Sequence, residues 1–288
     1  MKIWIFLPAY NEEESLEQLL PKLRETMAQL TDYELVIVVL DDGSSDRTGQ
    51  VVKDEAATQP VILISHLINR GLGETERDGF EYLAAHCEDG DVIIRFDCDD
   101  THEPVYIRSM IDKLEEGYDV VGTSRFQPGG FQIGVNWYRK GISYAANIFM
   151  RLMFGIQGIK DYSCGFRAYR ANVIKDAVKI YGNSFLQMRG FGFTSTLETI
   201  VKIHLLGFRF AEVPFGLRYD QKITESKMVS SVTILGYFMM AFLYHFPRSG
   251  WKKWRSSLRD GRAESVTEAE SAFAKIRSTK SIPSRFGA

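Results

Sequence analysis

Five short apolar runs alternate with helical patterns over the first 126 residues, and this alternation limits the folds that the chain can adopt. The runs read KIWIFLPA, ELVIVVL, VILISH, DVIIRF and DVVGTSRF. Strands that are apolar on both faces and separated by helices are typical of a mostly parallel sheet covered by helices. The sequence therefore predicts an α/β fold with right-handed crossovers. A further strand is predicted at FRFAEVPFGLRY and a loop at QPGGFQIGVN.

The fourth of these runs ends in an acidic stretch, DCDD at residues 97–100. Carboxylates this close repel one another, and burying them unpaired is costly. Asp97 and Asp99 are alternate residues after a strand, so they project to the same side and can hold one cation between them. Their hard oxygen ligands suit Mg²⁺ or Mn²⁺, usually together with substrate phosphates. The alternative is a solvated turn that is acidic by chance.

A second acidic pair, Asp41 and Asp42, ends the second predicted strand in the sequence DDGSSD. Ligands of open α/β sheets bind beyond the carboxyl ends of the strands, where an acidic residue can hydrogen-bond a ribose or a base edge. The alternative is a cluster at a helix N-terminus, with Ser45 or Asp46 as the cap. Both roles are compatible within this stretch.

Composition excludes several classes of protein. The formal net charge of -2 gives no reason to expect nucleic acid as a partner. The three cysteines lie far apart without CxxC spacing, which argues against a zinc site and a disulfide framework. The first residues lack the pattern of a signal peptide. Together these features predict a protein of the cytoplasm.

Seven motifs follow one another in a fixed order: PAYNE, DDGSSD, RGLG, DCDDTHEP, GTSRFQPGG, CGFRAYR and GFRFAEVP. In this order they resemble the family 2 glycosyltransferases, most closely the dolichyl- or polyprenyl-phosphate mannosyltransferase branch, over residues 1–228. The resemblance implies a GT-A fold, with a Rossmann-like, mostly parallel sheet flanked by helices in a catalytic domain of residues 1–228. It also implies a nucleotide-sugar donor, GDP- or UDP-linked, and a divalent metal, Mg²⁺ or Mn²⁺.

The resemblance assigns roles by position at the donor end of the site. Residues similar to those that contact the nucleotide in the family are Pro8, Tyr10, Glu12, Asp41 and Asp42. The metal-binding pair of the family is matched by Asp97 and Asp99, and Asp99 is also a catalytic candidate. The family often has a glutamine as an additional ligand at the position of Thr101.

Other positions correspond to the acceptor end. Arg125, Arg139 and Ser143 match residues around the phosphates and the acceptor, and Arg125 is a catalytic candidate. Arg218 and Lys227 lie in the stretch that resembles the acceptor loop of the family.

The reaction that the resemblance implies is metal-dependent, inverting transfer of a mannose or glucose-type hexose from the nucleotide sugar to a polyprenyl or dolichyl phosphate. Such an acceptor is already anionic near neutral pH and needs little help from a base. Glu198 is the candidate base, and its helical surroundings equally allow a structural role. Two alternatives stay open: a soluble family 2 enzyme with a hydroxyl acceptor, and a non-catalytic nucleotide-sugar-binding scaffold for a membrane partner.

Residues 229–254 predict attachment to a membrane surface. Residues 229–246 carry no Asp, Glu, Lys or Arg, and residues 246–262 carry six Lys or Arg against one Asp, with Trp251 and Trp254 among them. Eighteen residues is at the lower limit of the roughly 17–25 needed to span a bilayer. An amphipathic or membrane-associated helix at the cytoplasmic face is therefore predicted, with a core helix as the alternative. Residues 255–288 are predicted to be a disordered polar tail.

Overall fold

The computed structural model describes residues 1–223 and 230–246. The strands are β1 (Lys2–Ala9), β2 (Glu34–Asp41), β3 (Val61–Ser65), β4 (Val92–Arg95), β5 (Val120–Ser124), β6 (Phe131–Ile133), β7 (Arg167–Arg170), β8 (Phe210–Pro214) and β9 (Gly216–Arg218). The α-helices are α1 (Glu13–Ala28), α2 (Thr48–Ala56), α3 (Leu72–His86), α4 (Ile107–Glu115), α5 (Trp137–Phe154), α6 (Ala171–Tyr181), α7 (Thr194–Leu205) and α8 (Ser230–His245).

The central sheet has seven strands in the order β3-β2-β1-β4-β7-β5-β8. β1 is parallel to both β2 and β4, and β5 is parallel to β8. β7 lies antiparallel between β4 and β5. The predicted α/β fold with a mostly parallel sheet is confirmed, and within this central sheet β7 is the strand that was not predicted.

The region after β5 differs from the prediction in two places. The single strand predicted at residues 208–219 is divided at Phe215 into β8 and β9. β9 leaves the central sheet and pairs in parallel with β6, which lies inside the predicted loop. This two-stranded sheet is important for the site because it directs the chain after β8 toward the end of β4.

Apolar side chains fill both faces of the central sheet. On one face the rings of Phe6 and Tyr169 flank Phe80 of α3, with ring centroids 5.7 and 5.9 Å from it. Gly79 allows this close approach, since a Cβ atom there would lie 2.1 Å from the ring of Phe6. Each fully buried aromatic ring contributes about 1.5–3 kcal/mol, so the sheet is a stable platform for the loops at its edge.

The helix α8 packs on α5 and α7. The rings of Phe149 and Phe238 are 5.0 Å apart, and those of Phe154 and Tyr244 are 5.1 Å apart. The outer face of α8 is apolar rather than polar. Its exposed apolar side chains are Ile234, Leu235, Phe238, Met239 and Phe242.

α8 is thus apolar on both its packed and its exposed sides, and its predicted attachment to a membrane surface stays a prediction. None of the helices in residues 1–223 and 230–246 combines the length and the apolar character that crossing a membrane requires. The basic residues 247–254 and the predicted tail, residues 255–288, lie outside the described residues.

Candidate active site

The predicted polar clusters lie at one edge of the sheet. In the register of the parallel strands Ala9 is opposite Asp41, and the Asp42 backbone N–H donates to the Ala9 carbonyl (2.8 Å). On the other side of β1 the Phe96 N–H donates to the Phe6 carbonyl (3.0 Å). Asp42 and residues 97–102, which we term the acidic loop, therefore flank the end of β1, as the strand order predicts.

The Asp42 carboxylate organises the loop between β3 and α3. It accepts hydrogen bonds from the backbone N–H groups of Arg70 (2.9 Å) and Gly71 (2.7 Å). Its Oδ1 also lies 2.7 Å from Nδ1 of His66. Gly71 has a φ of 88°, which glycine adopts at no steric cost. Asp41 accepts from the Ser44 N–H (3.0 Å), so both carboxylates shape the walls of the predicted nucleotide site.

The turn after β1 is tied to α2 as well as to α1. The Glu12 N–H donates to the Thr48 hydroxyl (2.8 Å), and the buried Glu12 carboxylate accepts from the Ser15 hydroxyl (2.8 Å). Pro8 and Tyr10 precede this turn and are partly buried. The three residues lie beside Asp41 and Asp42, and their contact with a nucleotide stays a prediction.

Asp97 pairs with a buried arginine. Arg95, the last residue of β4, bonds Asp97 through Nη1 and Glu76 of α3 through Nε (2.9 Å). Arg95 and Glu76 are both about 1% exposed. Asp97 is also 3.4 Å from Nδ1 of His102. A buried arginine is stable only with such partners, so the pair with Glu76 and Asp97 fixes the first carboxylate of the acidic loop.

Asp99 and Asp100 point to different partners. Asp99 accepts from the Thr101 hydroxyl (2.6 Å) and pairs with Lys222. Burial would raise the pKa of Asp99, but Lys222 and His102 outweigh it, and the pKa is lowered. Asp100 has a φ of 54° and pairs with Lys22 of α1 (2.8 Å). For Asp100 the effect of burial prevails, and the pKa is raised.

β9 lies across the acidic loop. The Arg218 N–H donates to the Thr101 carbonyl (3.0 Å), and the Arg218 guanidinium pairs with Asp220 (2.9 Å). Arg139 of α5 reaches the same segment, because its Nη1 donates to the Tyr219 hydroxyl (2.9 Å). The structure thus brings two of the predicted acceptor residues together. Lys227, the third residue of that region, lies outside the described residues.

Arg125 is held by a carboxylate that sequence reasoning missed. Its Nε and Nη2 each lie 2.7 Å from an oxygen of Asp161, and Nη2 also donates to Ser163 (2.7 Å). Burial would raise the pKa of Asp161, but Arg125 lowers it. Ser143 connects to this pair through Asn147, whose Nδ2 donates to the Ser143 carbonyl and to Ser163. The guanidinium fork of Arg125 therefore faces Asp161, and its predicted phosphate contact is untested.

Glu198 is enclosed in the protein. It pairs with Lys202 of the same helix (2.5 Å), and neither side chain is exposed. Its oxygens also accept from the backbone N–H groups of Gln187 (2.9 Å) and Met188 (2.8 Å). Of the two roles that the sequence allowed, these contacts support the structural one, because a general base must reach the proton that it accepts.

Comparison with known proteins identifies the family. The sequence model described as Glycosyl transferase family 2 matches residues 4–177. The chain belongs to this family. It is 30% identical over 234 residues to the undecaprenyl-phosphate mannosyltransferase of Micrococcus luteus, which covers 81% of this chain and 89% of that protein. It is 31% identical over 221 residues to the dolichol-phosphate mannosyltransferase of Pyrococcus furiosus, covering 76% of this chain and 57% of that one.

The fold of this family 2 glycosyltransferase is GT-A, as the sequence predicted. A solved structure of glucosyl-3-phosphoglycerate synthase from Mycobacterium tuberculosis, in complex with Mn²⁺, UDP and glucosyl-3-phosphoglycerate, superimposes with a TM-score of 0.56. The two chains are 19% identical, and the match covers 84% of this chain and 78% of the other. At this identity the likeness concerns the fold alone.

The acidic loop can hold a divalent ion if the substrate phosphates supply the remaining ligands. Within residues 1–223 and 230–246, no group of three or more His, Cys, Asp and Glu side chains is placed to hold a metal ion. Mg²⁺ and similar ions, however, often use one or two protein carboxylates together with substrate phosphates and water. Asp97 and Asp99 would supply two hard oxygen ligands, and the pKa of Asp99 is lowered; their role as metal ligands stays a prediction.

Residues of this site that were not predicted include Arg95, Asp161 and Lys222. Arg95 left a signal, since it is a basic residue inside an otherwise apolar strand, DVIIRF, and such a residue needs a buried partner. Asp161 and Lys222 left none. Each lies in a loop, and each reaches its partner only through the fold, across 36 and 123 residues respectively.

Proposed function

We propose that this glycosyltransferase moves a hexose from a GDP- or UDP-linked donor to a polyprenyl phosphate at the cytoplasmic surface of a membrane, with inversion and with a divalent metal. One observation carries the proposal: α5 presents exposed apolar side chains beside a basic and a hydroxyl side chain on one helix. Trp137, Tyr138 and Ile142 are exposed there beside Arg139 and Ser143. A lipid phosphate requires this combination, because it has an apolar chain and a charged head.

The relatives support the same acceptor class. The proteins from Micrococcus luteus and Pyrococcus furiosus are described as acting with undecaprenyl phosphate and dolichol phosphate. The chain aligns with most of the first of these proteins and about half of the second.

In the proposed reaction an oxygen of the lipid phosphate attacks the anomeric carbon of the sugar. The new carbon–oxygen bond forms as the bond to the nucleoside diphosphate breaks, and the diphosphate leaves with the electron pair. A divalent ion held by Asp97 and Asp99 would offset the charge that develops on the diphosphate. Arg139, which bonds the Tyr219 hydroxyl, and Arg218 would bind the acceptor phosphate, since guanidinium groups bind phosphate oxygens through paired hydrogen bonds.

This chemistry does not need a protein base. The second ionisation of a phosphate monoester has a pKa of about 6, so the nucleophilic oxygen is already charged at neutral pH. A hydroxyl acceptor, in contrast, would have to lose a proton to a side chain. The buried position of Glu198 supports the phosphate acceptor.

Incubation with Mn²⁺, a panel of GDP- and UDP-sugars and a short polyprenyl phosphate tests the proposal. We expect labelled sugar in the lipid phosphate, with an acidic limb of the rate profile near pH 6. The matched polyprenyl alcohol should take up no label. Transfer to a free sugar or hydroxy acid, without transfer to the lipid phosphate, would contradict the proposal.

The membrane surface in this proposal is formed by α5 and α8 together. The two helices are in contact through Phe149 and Phe238. Trp137 and Leu152 of α5 are 81% and 74% exposed, and the outer face of α8 adds several apolar side chains. Contiguous exposed apolar surface of this kind marks interaction sites. Exposed basic residues of α5, Arg139, Lys140 and Arg151, are suited to anionic headgroups.

Flotation with vesicles tests this surface. Wild type should float with anionic vesicles and less with neutral ones, and added salt should reduce recovery. Leu152→Glu and Phe238→Glu, which place charge on the apolar face, should each reduce flotation several-fold. Val105→Glu is the control, because Val105 is also exposed but lies on neither helix. Equal flotation of all variants would contradict the assignment of this face.

A further inference from the structure

Three basic side chains pair with the acidic loop, and they come from different elements of the fold. Arg95 bonds Asp97 from the end of a core strand and is held on its other side by Glu76. The Lys22 ammonium, on the long helix α1, donates to both carboxylate oxygens of Asp100 (2.9 and 2.8 Å). Arg95 is almost fully buried, so its pair with Asp97 changes only if a core strand moves, whereas the Lys22 side chain is 34% exposed.

The partner of Asp99 comes from a less regular segment. Lys222 follows one turn of 3₁₀ helix, Tyr219–Gln221, directly after β9. Its side chain is 9% exposed, and that of Asp99 is 23% exposed. Besides this ion pair, the segment is joined to the acidic loop by the backbone bond from Arg218 to Thr101. Lys222 can therefore leave Asp99 by rotating its own flexible side chain, without unpairing a strand of the central sheet.

We propose that the Lys222 ammonium holds the place beside Asp99 that a divalent cation takes when the donor binds, so that the two cations exclude each other. The inference rests on the proposed function, because it takes Asp97 and Asp99 as ligands of the donor's metal. A lysine ammonium is a compact charge on a flexible stem. Lys222 bonds Oδ2 of Asp99, and Oδ1 accepts from the Thr101 hydroxyl. An ammonium and a divalent ion cannot occupy the same carboxylate oxygen, because they would repel each other strongly.

The exchange links the two ends of the site. While Lys222 bonds Asp99, the segment that carries Arg218 and Tyr219 is tied to the acidic loop by a side chain. Once a cation replaces the ammonium, this tie is lost, and Tyr219 is also the residue that contacts Arg139. Binding of donor and metal thereby removes one of the bonds that join this segment to the acidic loop and leaves the backbone bond from Arg218 to Thr101.

Mn²⁺ binding measured by electron paramagnetic resonance tests the exchange without any turnover. Free Mn²⁺ would be titrated against the full chain alone and with GDP or UDP added. Lys222→Gln should bind Mn²⁺ about tenfold more tightly than wild type, the scale of one partly buried ion pair. Lys222→Arg, which keeps the charge, should bind no more tightly than wild type. A variant that merely damaged the structure would lose affinity.

Lys22→Gln is the matched control, because it removes the same charge from the partner of the neighbouring Asp100. Its affinity for Mn²⁺ should change less than about threefold. The proposal is overturned if Lys222→Gln binds Mn²⁺ as weakly as wild type or more weakly, or if both lysine variants gain affinity equally. The proposed function fails on a different measurement, since glycosylation of the lipid phosphate is scored separately from Mn²⁺ affinity.

Discussion

Replacing Asp99 by asparagine should reduce sugar transfer by about 100- to 1,000-fold, the usual effect of losing one group that stabilises developing charge. The amide keeps the shape of the side chain and can still accept the Thr101 hydroxyl hydrogen bond (2.6 Å). What it loses is the negative charge for a cation. The free energy of unfolding should change by only about 1 kcal/mol, because the ion pair with Lys222 is partly exposed. Initial rates and urea unfolding measure the two effects.

Asp100→Asn provides the control for this prediction. It removes one charge from the same loop, and asparagine tolerates the left-handed backbone at this position, where φ is 54°. Because Asp100 faces Lys22 rather than the strand end, turnover should stay within about tenfold of wild type. The metal assignment is wrong if the enzyme is fully active in EDTA, or if the Asp99 and Asp100 variants lose equal activity.

The alternation of apolar runs with helical patterns was enough to predict the first five strands of the fold. The apolar runs that became β1, β2, β3, β4 and β5 are short, apolar on both faces and separated by helices, so their pairing follows from general rules. β7 was not predicted because its four residues, Arg167–Arg170, begin and end with arginine and so form no apolar run. Its Arg167 is buried and donates to the carbonyls of Asp161 and Tyr162 (3.1 and 3.0 Å). Only the folded chain supplies those acceptors.

The site shows the same division between local and distant interactions. The acidic loop could be predicted because its carboxylates adjoin a strand, and their position follows from the strand order. The cations that neutralise it in the structure could not, since Lys22 and Lys222 are 78 and 123 residues from their partners. Arg125 was predicted at a phosphate, yet its partner Asp161 is 36 residues away in a loop without a motif.

The role of Glu198 can be decided by stability. Glu198 and Lys202 are one helical turn apart and fully buried, and Glu198 also accepts two backbone hydrogen bonds. Burial lowers the pKa of Lys202, although Glu198 opposes this effect. Removing one partner of a buried ion pair leaves the other charge without compensation, which typically costs about 3–5 kcal/mol.

Glu198→Ala should therefore lower the free energy of unfolding by about 3–5 kcal/mol in urea, while the folded fraction keeps its kcat. Asp112→Ala is the matched control: Asp112 pairs with Arg108 at the same spacing in α4 (2.9 Å), but both side chains are about half exposed, so the loss should stay below about 1 kcal/mol. In Glu198→Gln the acidic limb of the rate profile should remain near pH 6, since that limb belongs to the acceptor phosphate. A general base would give the opposite result: a stable Glu198→Gln enzyme whose kcat falls about 100- to 10,000-fold and whose acidic limb moves. That outcome would identify Glu198 as a general base and favour a hydroxyl acceptor over a lipid phosphate.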